Sequence, residues 1–239
     1  MKTMDFWTIQ LNQHISMIFI RIPAGEFLMG SGDDDLMGHP SERPQHPIFL
    51  NEYWIGKTPV TEEQYQIYQP QHHFKPEEAH DPIVNISWDD AQEFCGWLSK
   101  TSGLPIRLPT EAEWEKAARG TDGRIFPWGN EDPNSFNVSD RIGGYAVGSF
   151  PESASPYGVL DMAGNVFEWT QDRYGPDYYA FSPRENPKGP SSGVTNVVRG
   201  GSWVNSQTNV RTTHRDVAGR DYMNYLLGFR CVMDAEGGE

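Results

Sequence analysis

The sequence predicts an α+β fold in a single domain. Three observations predict it. Helix-start signatures occur three times, and all of them lie before residue 120. No long helical pattern returns after that point. The remaining chain is broken into short apolar runs by turn residues, with 24 Gly and 18 Pro in 239 residues. Aromatic residues make up 13% of the chain, enough to give a loop-rich fold a compact core.

The elements follow in order. Strand-like runs lie at 18–22, 26–29 and 48–55, with the acidic stretch GSGDDDLMGHPSERPQHP read as an exposed loop between them. Two or three helices follow. Thr61 with Gln64 and Thr110 with Glu113 are capping boxes, and Ser87 with Asp90 is the looser variant. After Ser87, the residues Ala91, Phe94, Cys95 and Leu98 recur at helical spacing, and Gly103 and Pro105 end the pattern. The helix from Thr110 places Trp114, Ala117 and Ala118 on one side and stops at Gly120. Residues 121–239 read as short strands and long loops, and long loops commonly carry function.

Composition narrows the partners. There are 33 acidic against 19 basic residues, a formal charge of −14. Such a field repels phosphate, which argues against nucleic acid and anionic membranes. No apolar run approaches the ~20 residues of a membrane span. The stretch MIFIRIP from Met17 contains Arg21, ends at Pro23 and lacks a small-residue cleavage site, so it reads as a strand and not a signal peptide. The expected location is cytoplasmic, or the cell surface if a leader precedes the sequence or the protein is displayed.

The candidate sites are few. Cys95 lies on the buried helical stripe and Cys231 in an apolar terminal run, so composition alone reads two separate buried thiols. Two cysteines cannot make a structural zinc site alone. The seven His are scattered; His72 and His73 are neighbours in a polar loop. No His-Glu-x-x-His, Gly-x-Ser-x-Gly or phosphate-cradling motif is present. In DMAGNVFEW, Asp161 and Glu168 bracket Gly164, Asn165 and Val166. Two carboxylates and inward carbonyls suit a hard cation such as calcium, and a β-turn with polar flanks suits the same spacing. A second candidate joins Asn137, the Val138 carbonyl and Asp140 near Tyr145.

Taken in order, IPAGEFLMGS, TPVTEEQY, ISWDDAQEFCGWL, RLPTEAEWEKAARG, FPWGN, YGVLDMAGNVFEWTQD, VRGGSW and GFRCV resemble the formylglycine-generating-enzyme (sulfatase-modifying factor) family. The resemblance covers about 16–234 of the single domain 1–239 and implies a C-type-lectin-like fold with little regular secondary structure. The family's enzymes oxidise a cysteine in Cys-x-Pro-x-Arg peptides, using two copper-binding cysteines shortly after the GGS block. Here 204–215 contains no Cys; Asn205 stands near one position, and 207–210 covers the other. No copper is therefore expected. The resemblance also implies a disulfide between Cys95 and Cys231. It implies calcium at Asp161, Gly164, Val166 and Glu168, and at Asn137 and Val138, with Asp140 and Tyr145 less firmly matched.

The same fold resembles the variable proteins of diversity-generating retroelements, which keep RGGSW and GFR as framework and vary the residues between. That points to a non-catalytic ligand-binding module with its face at 204–227. Trp203 anchors the face. Asn205, Gln207, Asn209, His214, Asp216, Asp221, Tyr222, Asn224 and Tyr225 form it, since Tyr and Asn combine stiff contact area with adaptable hydrogen bonding. The expected partner is a protein or another extended surface. The alternative is an enzyme, or an enzyme accessory, lacking the cysteine pair. Arg211, Arg215 and Arg230 are expected as framework, paired with acids or carbonyls.

Overall fold

The computed structural model describes residues 6–33, 35–131 and 144–235. In chain order the elements are β1 (Phe6–Gln10), β2 (Ser16–Ile22), β3 (Gly25–Met29), β4 (His46–Leu50), β5 (Tyr53–Gly56), α1 (Glu62–Tyr68), α2 (Trp88–Ser102) and β6 (Ile106–Arg107). They continue with α3 (Glu111–Arg119), β7 (Phe167–Arg173), β8 (Thr195–Arg199), β9 (Asp216–Gly219), β10 (Leu227–Phe229) and β11 (Val232–Asp234). The fold is α+β, and among the described residues the three α-helices all lie before residue 120.

Each helix begins where its cap residue stands. The hydroxyls of Thr61, Ser87 and Thr110 accept the N–H three residues on, and Gln64, Asp90 and Glu113 reach back to the cap N–H. Ser87 and Asp90 thus complete a full box, not the looser variant. α2 buries Ala91, Phe94, Cys95 and Leu98 and ends at Gly103, whose φ of 73° is left-handed. α3 is buried on every side, including Glu111, Glu115, Lys116 and Arg119. That is tolerable because each charge has a partner. Glu115 lies between Arg119 and Arg199, and Lys116 donates to the carbonyls of Pro23 and Gly25. Burial pushes the Lys116 ammonium down to about 8.

A five-stranded sheet has the order β1-β2-β5-β11-β6, and a four-stranded sheet the order β10-β7-β8-β9. β3 and β4 form a separate hairpin. One core cluster packs α2 against Phe19, Trp169 and Phe229; a second packs α3 against Ile22, Ile48 and Ile55. In the four-stranded sheet β7 and β10 run parallel, and the 204–227 segment supplies the sheet's outer strand and the chain leading into β10.

Three expectations are corrected. β1 lies outside the 16–234 core, yet it pairs along its length with β2, from Phe6 opposite Ile20 to Gln10 opposite Ser16, and buries Ile9. The run 48–55 is two strands. It breaks at Asn51, whose N–H donates to Asn186 Oδ1, and the two halves serve different sheets. The acidic loop is not wholly exposed, because Ser31, Ser41 and Glu42 are buried. Among the described residues no helix is long and apolar enough to cross a membrane.

Candidate functional site

The 204–227 segment is set by the turn after β8. Gly200 and Gly201 adopt φ of 93° and 70°, which glycine permits without strain. A Cβ on Gly201 would lie 2.9 Å from the Asn209 carbonyl oxygen, so the chain doubles back on itself here. Arg199 then fixes the returning strand. Its guanidinium lies over the Trp114 ring at 5.2 Å, donates to Glu115 at 2.6 Å, and donates to the carbonyls of Thr212 and Thr213 at 2.7 and 2.9 Å.

The other framework arginines pair as expected. Arg211 donates to both Glu42 oxygens at 2.8 and 2.9 Å and to Asp35 at 2.9 Å. Arg215 donates to Glu111 at 2.6 and 2.9 Å and lies over the Tyr179 ring at 4.2 Å. All three acids are distant in sequence. Burial pushes the Glu42 carboxyl up, but hydrogen bonds from His214, Arg211 and Ser31 outweigh it and hold the group well below the usual carboxylate range.

The face residues fall into three groups. Near the turn, Asn205 is half-buried and its Oδ1 accepts both the N–H and the hydroxyl of Ser202, at 2.8 and 2.7 Å. Gln207 is exposed. Asn209 lies 3.2 Å from His214 Nε2, and His214 Nδ1 lies 3.6 Å from Glu42. Trp203 is buried and meets the Tyr225 ring at 6.1 Å, so it supports the surface and does not present it. In the third group Asn224 donates to the Tyr222 hydroxyl at 2.7 Å, while Asp221 is exposed nearby. A cavity of about 350 Å³ opens here, lined by Phe167, Val198, Asp216, Ala218, Tyr222 and Leu227 among others. Val204, Val217, Tyr222, Met223 and Tyr225 stand exposed around these groups.

Asp161 and Glu168 are both buried. Asp161 has φ of 56°, and its Oδ2 accepts the Gly148 N–H at 2.7 Å. Burial pushes its carboxyl up to about 6, against that hydrogen bond and the nearby Arg230. Glu168 already faces a cation: Arg230 donates to its two oxygens at 2.6 and 2.7 Å, and Trp114 Nε1 donates at 2.9 Å. The Gly164 N–H donates to the Gly200 carbonyl, which ties this segment to the turn above. A calcium ion would have to share Glu168 with Arg230, leaving Asp161 as its chief anionic ligand. Among the described residues no three His, Cys, Asp or Glu side chains converge on a metal position. Tyr145 exchanges hydrogen bonds with the Asn165 side chain, at 3.3 and 3.1 Å. Asn137, Val138 and Asp140 lie outside the described residues.

Cys95 and Cys231 are free, buried thiols with sulfurs 3.6 Å apart. Burial pushes the Cys231 thiol well up, so it is inert as a nucleophile. Oxidation should join the pair with little movement. The disulfide form is expected to be more stable by about 2–4 kcal/mol. Denaturant midpoints of oxidised and reduced protein check this, and equal midpoints would refute it.

Several residues that build the site carry no local signal in the sequence. Arg199 meets Glu115 across 84 positions, and Arg211 meets Glu42 across 169. The apolar cavity walls likewise come from four different strands, whose register no local pattern reports.

This arrangement has close counterparts. The sulfatase-modifying factor enzyme 1-like domain family matches residues 10–235. The formylglycine-generating enzyme of Streptomyces coelicolor is 30% identical, over 91% of this chain and 89% of that protein. The serine/threonine-protein kinase pkn1 of Chlamydia caviae is 36% identical over 90% of this chain, but the chain spans only 37% of that kinase's length. The structure of Treponema denticola variable protein 1 superimposes with a TM-score of 0.84 at 25% identity, covering 98% of this chain and all of that one. The capped helices, the RGGSW turn and the GFR strand therefore occur together in a match that spans nearly the whole chain, and the protein belongs to the sulfatase-modifying factor enzyme 1-like family.

Proposed function

We propose that this protein is a non-catalytic binding module that presents residues 204–227 to a protein or other extended surface. One observation carries the reading. Near the place where the resemblance sets the first copper-binding cysteine stands Asn205, whose side chain closes a turn onto Ser202. The chain's two cysteines, Cys95 and Cys231, lie buried elsewhere. Soft thiolates are what hold Cu(I), and an amide oxygen is a poor replacement. The exposed Val204, Val217, Tyr222, Met223 and Tyr225 support a contact surface, since aromatic side chains dominate interface energies. The likeness to Treponema denticola variable protein 1 supports the same reading and a variable-protein role.

The formylglycine-generating relatives support the alternative of a family enzyme. The test is incubation with copper, oxygen and a Cys-x-Pro-x-Arg peptide, followed by mass spectrometry for the aldehyde. The expected result is no turnover above the protein-free control. Turnover well above it rejects the binding-module reading in favour of an enzyme.

Calcium belongs to the same proposal, held by Asp161 and the Gly164 and Val166 carbonyls with a share of Glu168. The support is a buried Asp161 whose charge a cation would stabilise. Chelator should lower the thermal midpoint and added calcium restore it. Asp161→Asn should abolish that response; a midpoint indifferent to chelator rejects the site.

A further inference from the structure

The cavity beside β9 has a chemistry of its own. Its floor is one face of the four-stranded sheet, with Phe167 from β7, Val198 from β8, Ala218 from β9 and Leu227 from β10. The turn leading into β10 covers one side with Tyr222, Asn224 and Leu226. Three of the lining residues carry polar side chains: Asp216, Tyr222 and Asn224. Among the described residues no Lys, Arg or His lines it. The bases adjacent to the lining in sequence are engaged elsewhere: Arg220 stacks over the Trp88 ring at 4.0 Å and pairs with Asp89, Arg215 pairs with Glu111, and Arg199 pairs with Glu115. The Asn224 amide is also engaged: it donates to the Tyr222 hydroxyl, and its oxygen accepts the Leu226 N–H at 2.9 Å. Asp216 is left as the one uncompensated charge on the lining, though one of its oxygens accepts the Val217 N–H.

Resting on the binding-module reading above, we propose that this cavity receives the Lys or Arg side chain of a polypeptide partner, its apolar stem against the sheet and its cationic head at Asp216 and Tyr222. The size fits. About 350 Å³ is near the small end of the ~300–1,000 Å³ range of ligand pockets and leaves ample room for one long side chain. Long cationic side chains bury their stems along apolar walls and keep the head polar. A tyrosine face adds cation–π attraction, and a carboxylate adds a charge-assisted hydrogen bond. The net charge of −14 steers cations toward the surface. The partner is a chain and not a free amine, because Met223 and Tyr225 stand exposed beyond the cavity and offer a rim that a small amine would leave uncovered.

The test is titration of the full chain, carrying ¹³C-labelled Val and Leu methyls, with n-butylguanidinium, n-pentanol and n-pentanoate. Two acetylated hexapeptides follow, identical except for a central arginine or citrulline. The expected result is shifts concentrated at Val198, Val217, Leu226 and Leu227 with butylguanidinium and the arginine peptide, and none with pentanoate. The arginine peptide should bind about tenfold tighter than the citrulline peptide, and Asp216→Asn should remove that preference. Because Asp216→Asn is nearly isosteric, an unchanged spectrum away from the cavity shows that the variant is folded; Tyr222→Leu, at an exposed site, provides a second variant and should weaken the arginine peptide several-fold. Equal binding of the two peptides, or of pentanol and butylguanidinium, overturns the cation assignment. Equal binding of the arginine peptide and butylguanidinium overturns the polypeptide partner, and no shift with any probe overturns the proposal outright. Turnover of the Cys-x-Pro-x-Arg peptide would reject the binding-module reading without changing these titrations, so the two failures are separable.

Discussion

Glu168→Ala is expected to destabilise the protein by about 3–5 kcal/mol, because it strands a buried guanidinium. Glu168 and Arg230 are both fully buried. Arg230 Nε and Nη2 donate to the two carboxylate oxygens at 2.6 and 2.7 Å, a bidentate pair. Its remaining N–H groups donate to the carbonyls of Gly56 and Leu160, both at 2.9 Å. One side chain thus ties the end of β5 and the loop before β7 to β7 itself. Removing Glu168 leaves those neutral carbonyl bonds and takes away the carboxylate to which the guanidinium donates directly. It also removes the acceptor of the buried Trp114 indole N–H. Glu168→Gln keeps the volume and one acceptor and should cost less. Replacing both partners together, as Glu168→Ala with Arg230→Met, should recover part of the loss, since an apolar pair leaves no charge uncompensated. Urea unfolding of the four proteins checks the series. A loss below about 1 kcal/mol for Glu168→Ala would mean that water or another group solvates Arg230, contrary to the geometry.

The same pair shows why part of this structure was legible in the sequence and part was not. The helices were legible because their caps are local. A hydroxyl followed three residues on by an acid or a glutamine specifies a start, and Thr61, Ser87 and Thr110 all deliver it. The stripe on α2 was legible for the same reason. The burial of the other side of α3 was not, because it is decided by partners on distant strands. Trp114, Ala117 and Ala118 read as one buried side, yet Glu115 and Lys116 are buried too, answered by Arg199 and by the carbonyls of Pro23 and Gly25. At the site, composition indicated the polar 204–227 run but not its internal bonding. Asn205 and Asn224 read as free recognition groups, and each uses its amide oxygen to close a local turn, as short amides commonly do. Trp203, read as the anchor of the face, is buried beneath it, against Tyr225. The cavity was invisible in the sequence because it depends on strand register across the four-stranded sheet.

Arg211→Met should cost about as much as the loss of Glu168, on the order of 3–5 kcal/mol, and should loosen the proposed binding face as well. Arg211 is fully buried inside the segment 204–214, and it reaches across 169 positions to Glu42. The same guanidinium donates to Asp35 at 2.9 Å, to Thr213 at 2.7 Å and, through Nε, to the Thr208 carbonyl at 3.0 Å. It therefore fastens the loop near Glu42 to both ends of the 208–213 turn. Without it, Glu42 stays buried with only Ser31 and His214 beside it. The pH dependence identifies the cause. The Glu42 carboxyl is held below its ordinary value of 4.5 in the folded protein, so its contribution to stability is present above that pH and is lost as the pH falls through the depressed value. The gap between wild type and Arg211→Met should thus be widest above about pH 5 and narrow on acidification. Amide exchange in 204–214 should quicken in the variant, while exchange in α2, which supplies none of the hydrogen-bond partners of this pair, should follow only the global loss. A gap that stays constant with pH would place the loss in packing and remove the ion pair from the account of how this face is held.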